Sequence, residues 1–488
     1  MQQPWTRRQF LQSLGAATVG TAVLAACAPP AQQPAGAGEN APTKAKYVIA
    51  HMAWNAVPTD PKEELPPGVK PQVAYQNIAD EYMAAHPDVA IEWYRFPSGS
   101  NLDEWLLARM TAQDSPEIYW ANTENLWPHV NKGWALIFDD YMSLPNPYVA
   151  GNDQWKNQFE EIAVISQTGP DGHLYGVNMD GAGVLTVYNK QAFADAGVSE
   201  PKTWSEFLGV MQKLLDKGYI PYGADFSPDT CCFPHWFEAH VYNQLLWDDI
   251  WQYDDDGNKV ITARELTTHA QKGDFPEWES YLQLAHMLKE MTPFFPIGYE
   301  GKLDYRQLFR QGKVAMYMEG NWAISDFTNS PPPFEISWMA FPVVTSDVWP
   351  KAQNKVVRIQ GAWGAMQYHI PGYLAQTASD KIPHIMDWLM FSSKPENVTA
   401  VCAETSLVPL TKGATARPEL APFSQPYDRA VPYQSWATLS SSALNAEYSN
   451  WQTYLPSDMS DSDFLAMAQK SWDEEVKKIL EANPDWKI

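Results

Sequence analysis

Phe309-Arg310-Gln311-Gly312-Lys313-Val314-Ala315-Met316-Tyr317-Met318-Glu319-Gly320-Asn321-Trp322 holds a helix end, a strand and a turn in one run. Gly312 stops the helix, because glycine takes the left-handed conformation of a C-cap without steric cost. Val314 to Met318 is apolar throughout, the mark of a buried strand. The turn that follows sets Trp322 at the strand's carboxyl end. Upstream, Tyr47-Val48-Ile49-Ala50 reads as a first buried strand and empties into a loop with His51, Trp54 and Asn55. Helical spacing over 71–85 is followed by a strand at Val89 to Trp93 and a helix around Leu102 to Thr111. Glu117 to Trp120 is the next expected strand, opening into Asn122 and Glu124. Such alternation predicts βαβ units around a parallel sheet, whose ligands lie beyond the carboxyl ends of the strands. Trp54, Asn55, Trp120, Asn122 and Glu124 all fall there.

From Tyr175 the chain changes region. Gly176 to Gly183 is glycine-broken, Leu185 to Lys190 reads as a strand, and a helix follows that ends near Gly197. Pro201-Lys202-Thr203-Trp204-Ser205 starts another, with Thr203 or Ser205 as cap and Glu206 close behind. Asp254-Asp255-Asp256-Gly257-Asn258 looks like a hairpin turn. Asp254, Asp256, Asn258 and Glu265 have calcium-loop spacing, but Lys259 stands where such loops need glycine, so no metal is expected.

The first residues are an address. Arg7-Arg8 precede an apolar stretch from Leu14 to Ala26, too short for a permanent span of about 20 residues. It ends in Leu24-Ala25-Ala26-Cys27, small residues before a thiol that can take a lipid anchor. Thr6-Arg7-Arg8-Gln9-Phe10-Leu11 resembles a twin-arginine signal joined to a bacterial lipobox, with Gln12 where the pattern often has Lys. Residues 28–44 are Ala, Pro, Gln and Gly with few large apolar side chains, a flexible tether. The remainder is long enough for two domains with real cores. The net charge of −24 becomes −26 once residues 1–26, which hold Arg7, Arg8 and no acid, are removed. So acidic a surface repels phosphate backbones and argues against nucleic acid as partner. Beyond Cys27 only Cys231, Cys232 and Cys402 remain: no disulfide framework, and a vicinal Cys231–Cys232 bond is left open.

The run from Phe309 to Trp322 closely resembles the hallmark of family 1 extracellular solute-binding proteins, the maltose/maltodextrin-binding type of ABC importer. There a Phe-x-x-Gly-Lys-x-Ala-Met strand precedes a Gly-x-Trp whose tryptophan stacks on sugar. Leu174-Tyr175-Gly176-Val177, then Tyr188-Asn189-Lys190, Phe193, Gly197 and Pro201-Lys202-Thr203-Trp204, match in order and spacing. The resemblance implies an α/β periplasmic-binding-protein fold of two lobes, each a mostly parallel sheet with flanking helices, joined by three hinge crossovers. Carried onto this chain, the N-lobe is 45–181 plus 361–405 and the C-lobe 182–360 plus 406–488. The crossovers fall near Asn178 to Ala182, Ile359 to Gly364 and Ala403 to Pro409, where Gly181, Gly183, Gly361 and Gly364 can accept unusual dihedrals.

A sugar site pairs aromatic platforms with amides and carboxylates in a concave cleft. With 22 tryptophans there is ample choice. The resemblance puts Trp322, Trp236 and Trp436 in the site as stacking groups of the C-lobe. Trp363, Trp54 and Trp120 stand on lobe-edge or crossover loops, and packing is the alternative for each. Polar candidates are Asp180 and Asn178 at a crossover, then Asn321, Asn122, Glu124, Asn55, Glu319 and Glu404. Asp180 has an equal claim as a cap of local backbone. Arg95, Arg358 and Arg429 would serve an acidic ligand. No catalytic role or cofactor is expected. The partners implied are a carbohydrate ligand, a membrane permease and the membrane through Cys27, with the protein an extracytoplasmic, anchored monomer. The rivals are a binding protein for an acidic or non-sugar solute, a receptor's ligand-sensing partner, and a secreted carbohydrate-active enzyme. The last needs two carboxylates about 5–9 Å apart across one sugar.

Overall fold

The computed structural model describes residues 45–488 apart from 66–68, 123–125, 127–129, 131, 170, 228–232, 258 and 363, and omits the side chains of 361 and 362. Cys27, the tether, Glu124, Trp363, Asn258 and the Cys231–Cys232 pair lie outside the described residues.

The chain opens with β1 (Tyr47–His51), α1 (Ala74–Ala85) and β2 (Val89–Trp93), with β1 parallel to β2 as a βαβ unit requires. α2 (Leu102–Ala112) follows, its first turn capped by Asn101 accepting from Glu104 N. The strand expected at 117–120 is reduced to single bridges, His51 to Ile118 and Tyr119 to His369. Glu117 is the reason: its carboxylate accepts the Ala50 N–H at 2.8 Å and pairs with Lys381 at 2.5 Å, a side chain replacing a ladder carbonyl.

The next elements are β3 (Val177–Asn178), β4 (Asp180–Asn189), α3 (Lys190–Ala196), α4 (Trp204–Asp216), β5 (Ile220–Tyr222) and α5 (Phe233–Leu245). β6 (Val314–Gly320), α6 (Ala323–Asn329), β7 (Ile336–Met339), β8 (Val357–Arg358), β9 (Gln360–Ala362) and β10 (Gln367–Tyr368) come after. α7 (Pro395–Thr405), β11 (Val408–Pro409), β12 (Arg429–Ala430), α8 (Ser441–Tyr454) and α9 (Asp461–Ala482) lie towards the C-terminus. β4, buried along its whole length, is antiparallel to β6, β7, β9 and β11, while β5 is parallel to β6. This sheet is thus mixed, because a strand arriving from the other core enters it from the opposite end.

Two large cores share the chain. One gathers Ile49, Tyr75, Ile91, Met179, Met366, Trp388 and Val401; the other gathers Phe207, Phe237, Met316, Ile359, Trp436 and Trp472. The backbone passes from the first to the second between Ala182 and Val184, returns between Ile359 and Ala365, and passes again after Leu410. The glycines at these passages do not serve through unusual dihedrals. Gly183 and Gly364 are absent from the positive-φ residues. They provide clearance: a Cβ on Gly364 would stand 2.2 Å from Asp180 Oδ1 and 2.3 Å from Asp180 O. A left-handed residue does stand shortly before the third passage: Ser406, φ +59, which ends α7.

Local signals elsewhere act as expected. Gly197 and Gly312 take positive φ at helix ends. Thr203 and Glu206 form a reciprocal capping box at the start of α4. Thr203→Ala should cost about 1 kcal/mol, read as a lowered midpoint in urea denaturation. Residues 254–257 are not a hairpin turn: a 3-10 helix at Asp249–Tyr253 precedes them and a helix at Ala263–Lys272 follows. Asp254 Oδ2 accepts from Lys259 N, closing a local loop in place of a strand pair.

Candidate functional site

At the carboxyl end of β1 the chain makes a short 3-10 turn in which Trp54 adopts φ +48, a conformation that bulky residues rarely take. The turn lays the Trp54 ring flat on Trp120, 4.2 Å between centroids at 6°. Phe96, just beyond β2, leans on Trp54 at 5.1 Å. Trp120 is buried and donates its indole N–H to Gly364 O at 2.6 Å, tying the stack to the second passage between cores. The half-buried Trp54 is the outer ring of this stack. Asn122 is half-buried two residues after Trp120, and its neighbour Ala121 accepts from the Gln367 side chain.

A second aromatic pair stands at the carboxyl end of β6. Trp322 is half-buried and packs against residues of both cores, with Trp236 of α5 at 5.8 Å and 50°. Its ring folds back across the strand end: a Cβ on Gly320 would lie 2.2 Å from two ring carbons. Glu319, named as a polar candidate, is buried, pairs with Arg306 Nε at 2.6 Å and accepts from Gly320 N at 3.0 Å. That charge-assisted pair fixes the strand end from which Trp322 projects.

Several predicted contacts are committed elsewhere. Trp436 is fully buried, stacked on Tyr281 at 6.2 Å with its edge on Trp472 at 5.1 Å, so it is a core residue and offers no face to a cleft. Trp236 is 2% exposed and backs Trp322 from below. Glu404 gives its carboxylate to Val73 N at 2.9 Å and Ala74 N at 3.0 Å, an acidic cap on α1. Asn321 is fully buried in bonds to the backbone of Gly181, Gly183 and Ser406. Asn178 is buried beside Ser166, its Nδ2 donating at 3.2 Å. Asp180 is fully buried: it accepts Met366 N at 2.9 Å and faces the Cys402 thiol at 4.0 Å, so it binds backbone of a segment distant in sequence and not of its own turn. Residues near glycine-rich passages are those most in demand for backbone bonds, which is why polar candidates chosen there became staples.

Burial pushes the Asp180 carboxyl up to about 7 and Glu238, on α5, up to about 8. Both groups bind a proton more tightly in the folded chain than in the unfolded one, where carboxyls titrate near 4. Their contribution to stability is therefore present at about pH 4 and is lost as pH rises through 7 and 8. Asp180→Asn should flatten this loss between pH 5 and 7 in denaturant titrations at fixed pH.

β5 has a carboxyl end that sequence reasoning passed over. Asp225 and Ser227, both buried, follow it, with Asp225 Oδ2 accepting from Leu303 N at 3.2 Å. His235, on the first turn of α5 beside Trp236, meets Tyr448 OH at 2.7 Å. Pro221 inside a three-residue strand masked the signal. Among the described residues, Asp254, Asp256 and Glu265 bring carboxylate oxygens within 4.8 Å of one another. Glu265 already accepts from Thr262 and Asp255 backbone N–H groups, as a helix cap does. Also among the described residues, no helix is long and apolar enough to cross a membrane.

Residues 67–368 match the family model described as bacterial extracellular solute-binding protein. A curated relative, the sn-glycerol-3-phosphate-binding periplasmic protein UgpB of Brucella abortus, is 25% identical over 180 residues, 36% of this chain and 38% of that protein. The maltotriose-binding protein of Pyrococcus abyssi is 27% identical over 150 residues, 30% of this chain and 29% of that one. The match thus spans well under half the length of either relative. A family 1 extracellular solute-binding protein from Bifidobacterium longum subsp. infantis superposes with a TM-score of 0.60 at 15% identity, over 88% of this chain and 99% of that one. At that identity the likeness speaks for the fold.

Proposed function

The chain belongs to family 1 of the bacterial extracellular solute-binding proteins, which serve ABC importers, and we propose that it captures a neutral sugar or oligosaccharide between two lobes. The observation that carries this reading is the pair of aromatic platforms at strand ends, Trp54 on Trp120 and Trp322 on Trp236, each fastened to a passage between the cores. Flat rings set at strand ends match the C–H faces of pyranoses. The lobes would be 45–181 plus 361–405 and 182–360 plus 406–488, with the two hydrophobic cores as support. Ligand bridging the lobes would favour the closed form. A permease would recognise that form, and a lipid on Cys27 would hold the extracytoplasmic monomer at the membrane.

The acidic-ligand reading draws on the Brucella relative, whose name specifies glycerol 3-phosphate. The arginines named for such a ligand already hold protein partners through part of their guanidinium groups, with Nε of Arg358 and Arg429 buried and unbonded. Arg358 Nη1 donates to Gln425 O at 2.9 Å; Arg429 donates to Trp247 O and Asn243 O at 2.7 and 2.8 Å with its guanidinium 4.0 Å from the Trp247 ring. Arg95 donates to Pro58 O, and Arg306 is paired with Glu319. Calorimetry of the purified, ligand-free protein should show micromolar or tighter binding to one neutral glycan class and none to sn-glycerol 3-phosphate. Saturable binding of the phosphate alone would replace the sugar reading by the acidic one.

A further inference from the structure

We propose that Asn321 is a positioning residue that couples the passages between the lobes to the Trp322 platform. The proposal rests on the reading that ligand lies against Trp322. Asn321 uses its amide in both directions. Its Oδ1 accepts from Gly183 N at 2.9 Å, and its Nδ2 donates to Ser406 O at 3.0 Å and to Gly181 O at 3.4 Å. Its own backbone N–H donates to Gly183 O at 3.0 Å. One fully buried side chain therefore joins the first passage, at the head of β4, to the segment around Ser406 that leaves α7. Of the twenty side chains only an amide, Asn or Gln, carries an acceptor and two donors in one planar group, and Asn fits the shorter reach.

Ser406 is the other end of this link. It is buried and left-handed at φ +59, a conformation that costs a non-glycine residue and persists where surroundings over-determine it. Those surroundings come from two other segments of the chain, α6 and the stretch that follows β11. Ser325 of α6 meets its hydroxyl at 2.6 Å, and Arg417 Nη1 donates to the same hydroxyl at 3.0 Å. Two residues earlier, Glu404 grips the N-terminus of α1. Ser406 leads into the first core through Leu407, Gly183 stands where β4 leaves that core for the second, and Asn321 spans those two points. Trp322 is the next residue, its ring laid across Gly320. Motion at the passages is thereby delivered to the platform, and by reciprocity occupancy of the platform is delivered to the passages.

The test needs no ligand. Protein labelled with 5-fluorotryptophan gives a 19F resonance for Trp322, assigned by Trp322→Phe. Arg417→Gln removes the bond to Ser406, together with those to Ala403 O and Glu419, and none of these partners lies between 320 and 322. We expect the Trp322 resonance to shift by more than its linewidth in Arg417→Gln, and to shift no further when Arg417→Gln is added to Asn321→Asp, which keeps the acceptor and loses the donor. Ser325→Ala repeats the cycle from α6. A Trp322 resonance unmoved by both Arg417→Gln and Ser325→Ala, or moved equally with and without Asn321→Asp, overturns the coupling. Titration with maltotriose and raffinose reads the function separately: an absence of binding there counts against the sugar reading and leaves the resonance cycle to decide the coupling.

Discussion

Trp322→Ala should lower affinity for the bound sugar about 100-fold, about 2.7 kcal/mol, while the thermal midpoint moves by only a few degrees. The ring is half-buried and its indole is the exposed member of a pair whose lower member, Trp236, stays in the core. Removing it takes away a platform and leaves the strand β6 and the Glu319–Arg306 pair intact. Gly320→Ala separates position from presence. Its backbone is extended, so alanine is tolerated there, but the new Cβ meets the end of the Trp322 side chain at 2.2 Å. The ring can swing away, so the loss should appear in binding and hardly in stability. Calorimetry on both variants checks the pair; full affinity in Gly320→Ala would show that the folded-back ring is not the binding geometry.

Gly364→Ala should be among the most destabilising single substitutions outside the deep cores. The added Cβ would stand 2.3 Å from Asp180 O, a backbone atom that no rotamer can move, and 2.2 Å from Asp180 Oδ1. Gly364 O also holds the Trp120 indole, so relief by shifting the backbone would pull the Trp54 stack with it. Overpacking of this kind costs about 3 kcal/mol, a fall of roughly 5–10 °C in the thermal midpoint. The variant should also bind sugar poorly, through displacement of Trp54. A midpoint within 2 °C of wild type would mean that the passage yields, contrary to the staple formed by Asp180, Met366 and Gly364.

Strands and helices were legible where local chemistry decides them. Gly312, Thr203 with Glu206, and the apolar run Val314 to Met318 each carry their own instruction and are met in place. The strand-end rule named Trp54 and Trp120, which the structure stacks on each other, because it needs only the direction of a buried strand; Trp322 was named by the resemblance. What could not be read was which polar groups would be spent on the backbone. Asp180, Asn321 and Glu404 were sensible sugar contacts by type, yet each sits where unpaired backbone N–H or C=O groups converge, and a buried N–H must find an acceptor. Trp436 was misplaced by resemblance, since residue identity at a motif position does not say that Tyr281 and Trp472 enclose it. β5 was hidden by Pro221, and with it Asp225 and Ser227.

The most direct test of sugar capture is a crystal structure of the protein with the saccharide that calorimetry selects. The account predicts one pyranose face against Trp322 and another against Trp54, with both lobes touching the ligand. Density for a ligand held by one lobe alone, or by an anionic group on Arg358 or Arg429, would contradict it.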